Sequence, residues 1–133
     1  MRSETRSYDT STDPFVDITN DVADFAAGGG DGLLSVFVPH ATAGLALMET
    51  GSGSERDLEE ALGRLLPRSA RYAHSHGSPG HGADHLVPAF VAPSVVVPVV
   101  DGRLALGTWQ RVVLVDLNRD NPKRQVRLSL LPG

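Results

Sequence analysis

Five histidines, His40, His74, His76, His81 and His85, fall within about a third of this chain, and four of them lie in or beside one stretch rich in Gly, Ser and Pro. A neutral imidazole offers a nitrogen lone pair, so three such rings converging in space make a divalent metal site with one open position. The chain has no cysteine. Thiolate ligands and disulfides are therefore excluded, and any metal must be held by nitrogen and oxygen donors. His81 and His85 stand four residues apart and could share a helix face, but the glutamate of the zinc-protease helix motif is missing. A Gly/His/Ser-rich loop that is merely solvated fits the same spacing, so the histidines alone leave both readings open.

A second concentration runs from Asp101 to Gln110. Asp101-Gly102 is a turn signal between apolar runs, and the segment ends Gly107-Thr108-Trp109-Gln110 with the only tryptophan. A lone Trp suits a core as well as a ligand contact, while Gly-Thr beside it permits close backbone approach to a bound group. Arg119, Lys123 and Arg124 follow; a guanidinium can grip phosphate with two parallel hydrogen bonds, although a solvated turn accounts for these charges equally well.

These groups need elements to hold them. Thr19-Asn20-Asp21 offers capping side chains before Val22, Phe25 and Ala26, and Gly28-Gly29-Gly30 stops the pattern, which predicts a short helix from Asp21 to Ala27. Leu33 to Val38 reads as a buried strand, placing His40 just past its end. Leu58, Ala61, Leu62, Leu65 and Leu66 recur at helical spacing and predict an amphipathic core helix, with Ser54 and Asp57 resembling a capping box. Tyr72 to Asp84 reads as a loop. Ser94–Val100, Arg111–Leu117 and the alternation around Val126, Leu128 and Leu130 predict three C-terminal strands, the first an edge strand or bulged at Pro98.

Composition bounds the rest. The 133 residues suit a single domain, with residues 1–12 expected to be a poorly ordered or edge segment. Hydrophobic residues at 41% and charged residues at 21% match a folded domain and exclude the signature of disorder. A net charge of -4 lacks the basic footprint of a nucleic-acid binder. Without an apolar leader in Met1 to Asn20 or a run of about 20 apolar residues, no membrane is expected and the cytoplasm is the expected compartment.

Taken in order, Pro39-His40-Ala41-Thr42-Ala43-Gly44-Leu45, Glu49, Tyr72-Ala73-His74, Asp84-His85-Leu86, Val97-Pro98-Val99 and Gly102 through Gln110 resemble the YjbQ-like family, the secondary thiamine-phosphate synthase family, from about Asp17 to Leu130. The resemblance implies an α+β fold: one compact domain with a large mixed or antiparallel sheet and two to three helices, assembled as a homotrimer with sites near subunit interfaces. It also implies an activity that joins an aminopyrimidine diphosphate to a thiazole phosphate with release of pyrophosphate. The alternative is a non-catalytic trimer that binds a metal or a small anionic metabolite.

By the same resemblance His40, His74 and His85 gather around a divalent metal, zinc first and magnesium with a diphosphate substrate. Glu49 and Gln110 take catalytic roles, and Gly107, Thr108, Trp109 and Arg124 bind the substrate and its phosphate. His76 and His81 flank Gly77-Ser78-Pro79-Gly80, where ordering a ligand costs backbone entropy, and are expected to be spectators. The chain departs from the family pattern at Ala41, Met48, Ser52 and Asp116, where Thr, Asn, Asp and Glu are usual.

Overall fold

Val112, Val113, Leu114 and Val115 are all fully buried, and that continuous apolar run explains the layering of the molecule. The computed structural model describes residues 1–133. In it, β7 (Arg111–Val115) is the middle strand of a three-stranded antiparallel sheet in the order β2 (Phe15–Asp17), β7, β4 (Gly44–Met48). One face of this sheet gives Val112 and Leu114 to a core shared with helix α1 (Thr19–Ala26) and a five-stranded sheet; the other gives Val113 and Val115 to a second core under the remaining helices. A strand covered on both faces reads as continuously apolar rather than alternating.

The five-stranded sheet runs β1 (Arg2–Asp9), β8 (Lys123–Pro132), β3 (Gly32–Phe37), β5 (Ser94–Val100), β6 (Arg103–Leu104), with every pairing antiparallel. The N-terminal residues thus form an edge strand. Along β8 the two-residue period sends Arg124, Val126, Leu128 and Leu130 inward. β5 and β6 form a hairpin whose turn residues Asp101 and Gly102 have φ of 52° and 71°, as a two-residue primed turn requires. The expected edge position of this strand is not found: β5 lies between β3 and β6, with Pro98 opposite Leu33 on β3 and, just beyond the two-residue pairing with β6, accepting the Ala105 N–H at 2.8 Å.

Helix α2 (Ser54–Leu65) differs from its sequence reading at both its start and its face. Its N-cap is Gly53 in the left-handed region with φ 98°, and no side chain caps it, so Ser54 and Asp57 form no capping box. Only Leu62 and, just past its end, Leu66 enter the second core; Leu58 packs against it while Ala61 and Leu65 stay exposed, because the helix rests on the domain edge. Two one-turn helices follow, α3 (His81–Asp84) and α4 (Val87–Phe90), anchored through Ala83, Val87 and Val91. No helix is long and apolar enough to cross a membrane.

Candidate metal centre

The loop expected between Tyr72 and Asp84 folds back on itself. Gly77 and Gly80 adopt φ of 86° and 88°, which glycine reaches without steric cost. A Cβ on Gly77 would lie 2.5 Å from the His81 ring, and one on Gly82 would lie 2.9 Å from Tyr72. These contacts press the imidazoles together. One ring nitrogen from each of His74, His76, His81 and His85 lies within 4.8 Å of the others. Ring centroids of His74 stand 4.0 Å from His76 and 4.2 Å from His85, and those of His81 and His85 stand 4.6 Å apart.

The polar atoms fit a cation. His81 Nε2 and His85 Nε2 are 3.0 Å apart; two imidazoles on one tetrahedral zinc would place their nitrogens roughly 3.3 Å apart. His74 Nδ1 is buried with no hydrogen-bond partner, a cost that coordination would remove. His81 Nδ1 lies 2.7 Å from Asp120 Oδ2 but without the alignment of a hydrogen bond, a carboxylate–histidine proximity of the kind that supports a ligand ring. Asp120 also accepts the Ser78 N–H at 3.3 Å, and these contacts, Ser78 foremost, hold its carboxyl below the usual range. Desolvation, reinforced by the neighbouring imidazoles, lowers the pKa values of His74 and His85 and keeps both rings in the neutral form that a metal needs.

Arg68 braces the loop from behind. It pairs with the buried Asp84 and donates to Pro79 O at 3.2 Å. Burial nonetheless pushes the Asp84 carboxyl upward against the pull of Arg68.

The structure gathers a different group of histidines from the expected one. His76 and His81 are members of the cluster rather than residues of a loose tip, because tight glycine turns and Asp120 bring the tip back. His40 stands outside it. Its Nε2 accepts the Gln125 N–H at 2.9 Å beside β8, in a depression of about 480 Å³ shared with Tyr8 and Lys123. Desolvation and the nearby Arg124 lower its pKa.

Arg124 is also not available to a phosphate within this chain. Its inward position on β8 makes it 3% exposed, and Asp116 takes both its Nε at 2.6 Å and its Nη2 at 3.1 Å. Thr42 Oγ1 accepts from Arg124 Nη2 at 2.8 Å and from Asn118 Nδ2 at 3.0 Å, while Thr10 Oγ1 donates to Asp116 at 2.6 Å. The result is a closed buried network.

Gly107, Thr108, Trp109 and Gln110 form an exposed turn, with the Gln110 side chain accepting the Gly107 N–H at 2.8 Å and Trp109 72% exposed. Met48 pairs with Arg111, so Glu49 and Gln110 extend the same end of the β4–β7 ladder. The histidines and Asp120 belong to the other end, across about 13 Å of strand rise. Asp120, Arg68, His76 and His81 were not among the residues expected to form the site; the i, i+4 spacing of His81 and His85 was the one signal that pointed toward part of it.

The family model described as UPF0047 protein YjbQ-like matches residues 4–133. A UPF0047 protein of Mycobacterium tuberculosis is 59% identical over the whole of both chains. YjbQ of Escherichia coli O157:H7 is 30% identical over 98% of this chain and 92% of its own. Among solved structures, a hypothetical protein from Aeropyrum pernix K1 superposes with a TM-score of 0.89 at 33% identity, covering 100% of both chains. A YbjQ-like protein of unknown function from Sulfolobus solfataricus P2 superposes with a TM-score of 0.91 at 26% identity, covering 99% of this chain and 97% of that one.

Proposed function

The chain belongs to the UPF0047 YjbQ-like family, and from that premise we propose that it is a divalent-metal-binding protein centred on His74, His76, His81 and His85. The convergence of four ring nitrogens within 4.8 Å carries this reading. An all-imidazole set suits zinc, whereas magnesium prefers oxygen donors and would enter only with a diphosphate ligand. When bound, zinc would tie the His74–His85 segment together and polarise any substrate oxygen that displaced one ring. Asp120 supports His81, and Arg68 with Asp84 holds the loop against the second core.

The protein is further proposed to act as a homotrimer. Leu33, Phe37, Val96, Val100 and Leu131 project from one face of the five-stranded sheet, each at least 41% exposed, and an apolar patch of this kind marks an interface. A second reading, a thiamine-phosphate-synthase-like transferase acting on small phosphorylated metabolites, rests on the resemblance of the sequence motifs and requires more than one chain. The exposed Trp109 turn and Glu49 lie at the far end of the sheet from the histidines. A neighbouring copy would have to bring them to the metal, with Glu49 and Gln110 beside the reacting groups and Gly107, Thr108 and Trp109 against the substrate.

Elemental analysis of purified protein tests the first reading. One zinc per chain is expected, lost in His81→Ala and His85→Ala and retained in His40→Ala; retention in the first two and loss in the third would overturn it. Complementation of a strain lacking thiamine-phosphate synthase tests the second.

A further inference from the structure

Four imidazoles fill the shell of a tetrahedral ion and leave no place for a ligand, whereas three leave one position open. Which of these the His74–His85 cluster presents depends on how firmly each ring is held. His76 and His85 are the pair farthest apart, with ring centroids 6.0 Å from each other, against 5.1, 4.2 and 4.6 Å among His74, His81 and His85. One of those two is the outer ring.

Their backing decides between them. His81 and His85 sit one turn apart on α3, where the His85 N–H donates to His81 O at 3.2 Å and Ala83 fastens the turn to the second core. His74 follows Tyr72, which packs on the same core and whose hydroxyl donates to Pro67 O at 2.7 Å. His76 has no such hold. It is exposed, it lies outside every helix and strand, and no hydrogen bond ties its ring or its backbone. Fixing an untethered ring costs rotamer freedom that its release returns.

Charge indicates what takes the vacated position. No carboxylate belongs to the cluster; Asp84 is paired with Arg68, and Asp120 stands against His81 Nδ1. Neutral imidazoles leave a dication its whole charge, so an anionic oxygen is the favoured fourth ligand.

We propose that His74, His81 and His85 are permanent ligands and that His76 is an exchangeable one, yielding its place to a small oxyanion, a phosphate or a carboxylate. This inference rests on the metal-binding reading and names the class of molecule that the site takes. The metal–nitrogen bond to His76 breaks as a metal–oxygen bond forms; the ring leaves neutral, and no electron is transferred.

Cobalt(II), a visible probe of coordination, is loaded into the full chain and into single His→Ala variants, and inorganic phosphate and acetate are titrated in separately. Cobalt content is measured after each titration, so that extraction is not read as binding. The parent is expected to hold one cobalt per chain and to change its spectrum saturably with either anion. His76→Ala should keep its cobalt against a chelator that strips His74→Ala, His81→Ala and His85→Ala. It should bind the anions about tenfold more tightly, because no ring competes for the position, and regain the parent's spectrum when free imidazole is added. Cobalt lost from His76→Ala as readily as from the other three variants, equal anion affinity in His76→Ala and the parent, or a parent spectrum that neither anion alters would overturn the proposal and leave the metal reading standing. A parent that takes up neither cobalt nor zinc would overturn both.

Discussion

Packing four imidazoles together has a consequence for the metal-free protein. His74 and His85 have lowered pKa values in the fold, so as pH falls through about 6.5 the unfolded chain takes up protons that the folded chain still refuses. Stability that is full above that pH is then lost as pH drops toward the folded-state values. Thermal unfolding in the presence of chelator should show the midpoint falling between pH 7.5 and 5.5, with a shallower fall in His74→Gln. An unchanged slope in that variant would mean that the rings are not coupled as their geometry requires. Asp120 offers a second test at this scale. Its contact with His81 Nδ1 is the kind of support whose loss costs about 10–100-fold in metal affinity, so competition with a chromophoric chelator should find Asp120→Asn weakened by that factor while its melting temperature stays near the parent's.

The elements owe their arrangement to a few close approaches. Gly44 opens β4 where the backbone of Val91, just past α4, presses on it; a Cβ there would lie 1.9 Å from Val91 O, with the Leu45 N–H donating to Ala92 O at 2.8 Å nearby. Because the obstacle is backbone, it cannot rotate aside. Gly44→Ala should therefore cost about 3 kcal/mol or more in urea denaturation, a loss that would part the second core from the three-stranded sheet. A cost below about 1 kcal/mol would show that α4 yields easily, and that the histidine loop ahead of it is less rigidly held than the packing implies.

For the whole molecule, the exposed apolar face of the five-stranded sheet is the feature that most needs a partner. Light scattering should find roughly three times the 14.1 kDa chain mass if the proposed trimer forms. Val96→Glu, at the middle of that face, should shift the population toward monomer with the zinc content of each chain unchanged. A parent protein that is already monomeric would remove the trimer and, with it, the means of bringing the Trp109 turn to the histidines.

Local signals in the sequence settled much of this architecture. The run Leu33–Val38, the apolar stretch after Ser94, the Asp101-Gly102 turn and the alternation along β8 each depend on neighbours one to four residues away, and each stands in the structure within a residue or two of its expected position. The absence of cysteine likewise restricted the ligand chemistry to nitrogen and oxygen before any fold was known. What sequence spacing did not carry was convergence. Whether His40 or His81 joins His74 and His85 depends on how a glycine-bearing loop closes and on a carboxylate 39 positions beyond His81 at Asp120. Whether Arg124 meets a ligand or Asp116 depends on which face of β8 turns inward against Thr42 and Thr10. Those outcomes are decided by contacts between residues distant along the chain, which only the packed tertiary structure brings within a few ångströms.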